Sequence, residues 1–369
     1  MLQRGIARKL TAFGVAASSF VHPPKSNCHA SPRENVCSAT QSGRSRWNGT
    51  GEGGFSLLEL MVSLAILSLV IGIISTGMMQ IMNVQGTIKN RTEMHTGVRN
   101  ATELMQQEIG QAGRISLPAS VTLSGTAGSQ TATVSSTLGM FPNMYLNVDA
   151  GDNYETVQVN AVGTGTITTT ATAGFTFNHT GAPVNVSGGF ATGIVPPDSC
   201  TTSSGSAYCF NQTTASSYPN GSTGSVLKLY GDINRDGNIL YVEYTCSPGP
   251  PSAPGYLYRN EMLFDAVSKT PIDARMVLVG NLLPNPGGTP CFQYQTASGN
   301  SGNTYVLDVA VTLTVQTQLQ DPQTHQFQQE TKALLNVSPR NVFETWELDT
   351  AKYLEKIQPM PASVTALLQ

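Results

Sequence analysis

The most apolar part of the chain begins just after residue 54. Between Phe55 and Met82 the only ionisable side chain is that of Glu59. An α-helix rises about 1.5 Å per residue, so this segment is long enough to cross the roughly 30 Å hydrocarbon core of a bilayer. The pattern therefore predicts a transmembrane or filament-core helix over residues 55–82.

The hydrophobic pattern becomes amphipathic beyond Met82. Apolar residues recur three or four positions apart, as one buried face of a helix requires. Because Gly113 and Pro118 are typical stop signals, we expect this second helical segment within residues 83–117. Polar side chains occupy the other faces of this segment. Because only one face is apolar, we expect that face to pack on a sheet. Its apolar face consists of Ile88, Met94, Val98, Ala101, Met105, Ile109 and Ala112.

Residues beyond Pro118 alternate between apolar and polar and are rich in Gly, Ser and Thr, which predicts strands. We expect a β-rich insert over 118–195, a β region over 196–341 and a packed tail over 342–369. A contact role and an inert spacer are both open for the insert. The fold class predicted is α+β, with a long helix on an antiparallel sheet. The strand-like runs are Tyr145–Val148, Glu155–Val162, Thr166–Thr172, Val226–Tyr230, Ile239–Tyr244, Tyr256–Arg259, Met276–Val279, Tyr305–Val315 and Lys332–Val337.

Charge is sparse and unevenly distributed. Charged residues make up only 12% of the 369 residues and the net charge is −3, which gives no electrostatic basis for nucleic-acid binding. Residues 1–54 hold seven Lys or Arg and two acidic residues, so the rest of the chain carries a net charge of −8. By the positive-inside rule the basic segment stays cytoplasmic and the acidic body is exported.

The common catalytic and nucleotide-binding motifs are absent from the sequence. His95, His179 and His325 are scattered and lack the neighbours that would support nucleophilic or metal-assisted chemistry. We therefore expect them to be ordinary surface or core residues, and we predict no enzymatic activity.

The junction between Gly54 and Phe55 offers a reason for the lone carboxylate. A carboxylate in an apolar environment is costly unless it has a partner. Cleavage between Gly54 and Phe55 would create an amine at Phe55, and this cation could neutralise Glu59 of a neighbouring copy.

At these residues the chain resembles the type IV prepilin family, whose pattern is matched by Gly54, Phe55, Ser56, Leu57 and Glu59. The resemblance implies removal of a leader over residues 1–54 by prepilin peptidase and N-methylation of Phe55. It also implies an inner-membrane stage, other pilins as partners and a pilus at the cell surface. The chain departs from many major pilins at Thr76, where they carry a helix-kinking proline.

A second resemblance, over residues 90–115 and 225–341, is to PilW-like minor pilins. It includes Leu227-Lys228-Leu229-Tyr230 and Gly255-Tyr256-Leu257-Tyr258-Arg259. This implies a minor pilin that takes part in type IV pilus assembly or initiation. A J-type minor pseudopilin of type II secretion and a pilus-associated adhesin are the alternatives.

Residues 232–243 match the calcium-loop pattern D-x-N-x-D-G-x₅-E. Asp232, Asn234, Asp236 and Glu243 supply oxygen ligands, and Gly237 allows the sharp turn. The flanks alternate as strands do, and Asp, Asn and Gly equally favour a plain β-hairpin turn. Calcium as a cofactor and the plain turn both stay open. If Glu243 is held in a strand, the other three are the safer ligands.

The exported part contains four cysteines, Cys200, Cys209, Cys246 and Cys291. In an exported chain disulfides are the expected state, and four cysteines allow three connectivities. We favour Cys200–Cys209, which closes a local loop, and Cys246–Cys291, which ties two strands. Zinc is disfavoured because no CxxC or paired histidines accompany the cysteines.

Overall fold

The computed structural model describes residue 54 and residues 56–198, 209–210 and 219–369. Most of the predicted leader therefore lies outside the described residues, as do Phe55 and Cys200. The chain divides into two compact units, Met1–Ala65 and Ile66–Gln369.

A single long helix, α1 (Leu57–Gln111), starts the described chain. It contains no proline, and at Thr76 the side-chain hydroxyl donates a hydrogen bond of 2.8 Å to the carbonyl of Gly72 instead. The helix ends before Gly113, which has a φ of +82° and lies so close to Ala191 that a Cβ would be 2.6 Å from that residue's carbonyl oxygen. Glycine is therefore needed there for both conformation and space.

A closed barrel of six strands follows α1. Its buried and exposed positions alternate, and Leu123, Leu146 and Val159 fill the interior. The neighbour order is β1-β2-β5-β4-β3-β6, and β1 closes the barrel by pairing antiparallel with β6. The strands are β1 (Val121–Gly125), β2 (Thr131–Val134), β3 (Tyr145–Val148), β4 (Glu155–Gly163), β5 (Thr166–Thr169) and β6 (His179–Val186).

A short strand, β7 (Phe190–Ala191), leads from the barrel towards the main sheet. The main sheet is antiparallel, has seven strands among the described residues and runs in the order β12-β13-β11-β10-β9-β8, with β14 also paired to β13. Its strands are β8 (Val226–Gly231), β9 (Leu240–Ser247), β10 (Gly255–Leu263), β11 (Val277–Leu283), β12 (Phe292–Ser298), β13 (Thr304–Gln316) and β14 (Gln329–Val337).

The two faces of this sheet bury different partners. On one face Leu229 and Tyr244 belong to a core that also contains Met105 and Ile109 of α1. Residues of the opposite face belong to a second core with the barrel and the C-terminal tail; Tyr241 is one of them. Because side chains of a strand alternate between faces, one sheet separates the helix from the barrel.

The C-terminal tail forms α2 (Arg340–Thr350), β15 (Ile357–Gln358) and α3 (Ala362–Leu367). Strand β15 pairs in parallel with β7, which ties the tail to the segment after the barrel. The buried ammonium of Lys228 donates to the carbonyl of Leu368 at 2.9 Å, so the sheet also holds the very end of the chain.

Candidate functional site

The first turn of α1 is organised by Ser56. Its hydroxyl accepts a hydrogen bond of 3.1 Å from the amide of Glu59, and its carbonyl accepts one of 3.1 Å from the amide of Leu60. A Ser followed three residues later by Glu is the signature of a helix N-cap, so the helix starts directly after the Gly54–Phe55 junction. The capping pair is readable in the sequence, although it was not among the predicted features.

The apolar half of α1 is exposed on every side. Leu58 is 74% exposed, Ile66 60% and Ile73 66%, although burial of such side chains is normally worth about 1.5–3 kcal/mol each. Helix α1 is long and apolar enough to cross a membrane, and it is the one such helix among the described residues. It supports membrane anchoring before assembly, because lipid or neighbouring helices can cover this surface.

Glu59 is the one acidic or basic side chain on this apolar surface. No hydrogen bond or ion pair joins its carboxylate to another described residue. The capping bond uses only the Glu59 backbone amide, so the carboxylate stays available to a group outside this chain.

The second half of α1 carries a buried charge that was not predicted from the sequence. Glu108 is 4% exposed and accepts a hydrogen bond of 2.5 Å from the hydroxyl of Tyr244. Arg259 donates to the same carboxylate from Nε at 3.0 Å and from Nη2 at 2.5 Å. The signal was present in the sequence, because Glu108 lies on the same helical face as Met105 and Ala112.

This contact shifts the acidity of both partners of Glu108. Burial opposes the charge on Arg259, but hydrogen bonds and the charge of Glu108 outweigh burial and hold the pKa of Arg259 above its ordinary value. Burial, followed by the negative charge of Glu108, raises the pKa of Tyr244 far above its ordinary value. The group is therefore a fixed clamp between α1 and the sheet, with Arg259 charged and Tyr244 neutral.

The proposed calcium loop takes a different form from the predicted four-ligand cage. Glu243 lies within β9 opposite Lys228, three residue pairs beyond the pair Gly231–Leu240 that borders the loop. At about 3.3 Å per residue this places Glu243 roughly 10 Å along the strand from the loop. Its carboxylate instead meets Nζ of Lys269 at 2.6 Å. The structure therefore places Glu243 away from the loop, because its pairing with Lys228 holds it within β9, and its role as a calcium ligand stays a prediction.

The carboxylates of Asp232 and Asp236 form hydrogen bonds within the protein. One carboxylate oxygen of buried Asp232 accepts a 3.0 Å hydrogen bond from the amide of Asp236, and the other accepts one from the hydroxyl of Ser116. Asp236 in turn accepts from the amide of Asn238 at 2.9 Å. No group of three His, Cys, Asp or Glu side chains in the described ranges is placed to hold a metal ion. Calcium binding by Asp232, Asn234 and Asp236 stays a prediction.

A disulfide between Cys246 and Cys291 links separate parts of the main sheet. Cys246 on β9 and Cys291, which precedes β12, form a disulfide with Cα atoms 6.4 Å apart. Cys209 is also disulfide-bonded. Its predicted partner, Cys200, lies outside the described residues.

His179 has more structure around it than the sequence indicated. Its ring is buried in the barrel, with Nδ1 3.1 Å from Asp149 and Nε2 2.6 Å from Glu155. Asp149 has a φ of +66°, and the amide of Thr176 donates to Glu155 at 2.9 Å. Both ring nitrogens contact carboxylates, so His179 joins the start of β6 to Asp149, which follows β3, and to Glu155, the first residue of β4.

Comparison with known proteins identifies the motif at the start of α1. The model of the prokaryotic N-terminal methylation motif matches residues 50–75. No curated protein and no solved structure matches the chain. The motif implies processing by a prepilin peptidase and an assembly context shared with pilins. Together with the apolar helix and the antiparallel sheet that follows it, the motif supports a type IV pilin-like protein, a class that includes the pseudopilins.

Proposed function

We propose that this protein is a minor pilin, a structural subunit that takes part in assembling or initiating a type IV pilus. The observation that carries this proposal is the contrast between the two halves of α1. The first half exposes its apolar side chains, whereas the second half buries Val98, Met105 and Ile109 against the sheet. Such a chain has a folded body with its own core and an exposed apolar helix that other helices can cover.

The size and content of the body favour a minor subunit over a major one. A closed six-stranded barrel lies between α1 and the main sheet along the chain. Major pilins, as the resemblance implies, are about half as long. A bulky insert suits a subunit present in few copies, at the start of a filament or along it, better than one repeated throughout.

Glu59 supplies the assembly contact in this proposal. After cleavage behind Gly54, the amine of Phe55 on one subunit neutralises the Glu59 carboxylate of its neighbour. The pairing lets both charges leave water together, which is far less costly than burying the carboxylate alone. The function is thus structural rather than enzymatic, and the body faces the periplasm or the exterior.

Processing is the first experimental test. Mass spectrometry of the membrane fraction should find an N-methylated Phe55 as the N-terminus of the mature chain. A Gly54→Val variant should keep its leader, whereas the control Gly53→Ala should be processed. An unprocessed wild-type chain in cells with active prepilin peptidase would remove the basis of the proposal.

The second test separates a pilus subunit from a pseudopilin of type II secretion, which the same motif also fits. Deletion of the gene should reduce surface filaments, and a tagged copy should occur in sheared filaments at far lower abundance than the major pilin. If filaments are unchanged and secreted proteins accumulate in the periplasm instead, the protein is a pseudopilin.

A further inference from the structure

A cavity of about 580 Å³ opens where three parts of the body meet. The barrel contributes Tyr145 and Gln158, Asn303 and Thr304 lie where β13 begins, and the tail completes the wall. No residue of α1 lines it, so covering the helix leaves the cavity free. Its volume lies within the range of small-molecule sites, which is about 300–1,000 Å³.

The wall of this cavity is neutral. Among its fourteen lining residues, all of them described, there is no Asp, Glu, Lys, Arg or His. A charged ligand would lose its hydration there without meeting a counter-charge, which is strongly unfavourable. The chemistry of the wall therefore selects against ionic ligands.

Several uncharged polar groups in the wall are free to bind. No described residue forms a hydrogen bond with the phenol hydroxyl of Tyr145 or with the hydroxyls of Thr304 and Thr365. Hydroxyl groups both donate and accept, so this set can satisfy ligand hydroxyls in either direction. A purely apolar ligand would leave these groups without partners.

Apolar surface lies beside these hydroxyls, and the polar wall is held in place. Leu354, Ile357 and Met360 of the tail border the cavity. The backbone of Tyr145 is fixed by Gln358, whose Oε1 accepts from the amide at 2.9 Å and whose Nε2 donates to the carbonyl at 3.0 Å. A preorganised site of this kind loses little conformational entropy when it binds.

We propose that this cavity binds a neutral saccharide. A sugar ring carries hydroxyls along its edge and C–H groups on its faces, and these match the free hydroxyls and the apolar tail residues respectively. The site stands apart from the methylation motif, so the inference does not depend on the role proposed for the protein in a pilus.

Binding is tested with the full-length protein in a detergent that has no sugar headgroup. A glycan array with neutral and sialylated members is screened first, and each hit is measured by calorimetry beside its sialylated counterpart. At least one neutral glycan should bind, and its sialylated form should bind at least about tenfold more weakly because nothing in the wall pairs with the carboxylate. Equal binding of the two forms, or binding of no neutral glycan, overturns the proposal.

Two conservative single substitutions test whether the saccharide binds in this cavity. Tyr145→Phe and Thr304→Val each remove a hydroxyl with little change in volume and should weaken binding by roughly two- to tenfold. The matched control is Tyr154→Phe, which removes the hydroxyl of an exposed barrel tyrosine that does not line the cavity. Unchanged melting temperatures verify that all three fold. Unchanged affinity in both cavity variants overturns the assignment of the site.

Discussion

Arg259 on β10 donates two hydrogen bonds to Oε1 of Glu108 on α1, from Nε at 3.0 Å and from Nη2 at 2.5 Å. Both side chains are largely buried, with exposures of 19% for Arg259 and 5% for Glu108. The contact joins residues 151 positions apart in the chain. It therefore couples the fold of the helix to that of the sheet.

Replacement of Glu108 should destabilise the body strongly. Glu108→Gln removes the buried counter-charge of Arg259 and leaves it paired with the half-exposed Glu261, 2.7 Å from its Nη2. Losing one member of a buried pair typically costs about 3–5 kcal/mol. Because Arg259 is partly exposed, we expect the lower end of that range. Chemical denaturation of the full-length protein in detergent measures the loss in the free energy of unfolding.

Glu103→Gln is the matched control for this variant. Glu103 forms an exposed ion pair with Arg99 at 2.7 Å on the same helix. Exposed pairs contribute little because water and salt screen them. If both variants had equally small effects, Glu108 would not be a clamp.

Glu59→Ala should leave leader removal intact but reduce incorporation into filaments. Without the carboxylate, the Phe55 amine of the adjoining subunit loses its partner in an apolar environment, with a cost of about 3–5 kcal/mol if the pair is fully buried. The ratio of tagged chain in sheared filaments to that in membranes measures the effect.

Ser63→Ala on the same apolar segment serves as the control, because the hydroxyl of Ser63 donates to the carbonyl of Leu60 within its own helix. Normal assembly of Glu59→Ala would contradict the pairing.

Asp232→Ala should lower the melting temperature in chelator as well as in calcium, because Asp232 has a structural role that does not need the predicted ion. Both carboxylate oxygens already accept hydrogen bonds, from the amide of Asp236 and the hydroxyl of Ser116. Loss of such bonds typically costs about 1–3 kcal/mol for a buried acceptor site. A destabilisation present only in calcium would contradict this structural role of Asp232 and favour the predicted calcium site.

The barrel should lose stability in acid through the carboxylates around His179. Hydrogen bonds from the amide of Ala150 and from His179 lower the pKa of Asp149. Burial acts to raise the pKa of Glu155, but hydrogen bonds from His179 and Thr176 outweigh it and leave that pKa lowered. A lowered pKa means that stability is present above the unfolded-state values of 3.8 and 4.5 and is lost as pH falls through the folded-state values.

His179→Asn should therefore flatten the acid side of the stability curve as well as lower its maximum. Circular dichroism melts at a series of acidic pH values measure both effects. His325→Asn is the control. His325 is exposed, and its φ of +55° is a left-handed conformation that asparagine adopts readily. An acid slope unaffected by His179→Asn would contradict the role of this cluster.

Removal of the Cys246–Cys291 disulfide should destabilise the main sheet. The bond closes a loop of 45 residues, and cross-links of this kind typically contribute about 2–4 kcal/mol by restricting the unfolded chain. A Cys246→Ser, Cys291→Ser double variant should unfold at lower denaturant concentration. Equal stability of the variant and the wild type would contradict this account.

The sequence by itself determined the features that depend on neighbouring residues. The apolar run, the junction at Gly54 and the stop at Gly113 were sufficient to predict α1 and its processing. Regular alternation was likewise sufficient for strands such as β3, whose bounds Tyr145–Val148 are those predicted. Such features are local, because helix and strand periodicity and cleavage motifs are written in consecutive positions.

Strands with a weak pattern became apparent only in the structure. The runs that form β1 and β2 are short and mostly Thr, Ser and Gly, and neither was predicted. Their stability comes from pairing with each other and from the closure of β1 on β6, whose residues lie about sixty positions later. Propensity alone does not specify such strands, because their partners decide whether they form.

Tertiary structure also decided which polar residues act together. The spacing of Glu243 fitted a calcium loop. The register of β8 and β9 instead places Glu243 within the strand, where its carboxylate forms an ion pair with Lys269. Glu108 forms its ion pair with Arg259, which lies 151 residues later in the chain. The cavity proposed to bind a saccharide forms where the barrel, the main sheet and the tail meet. Hydrogen bonds and ion pairs depend on distances of a few ångströms, and only the packing of elements remote in sequence brings these groups that close.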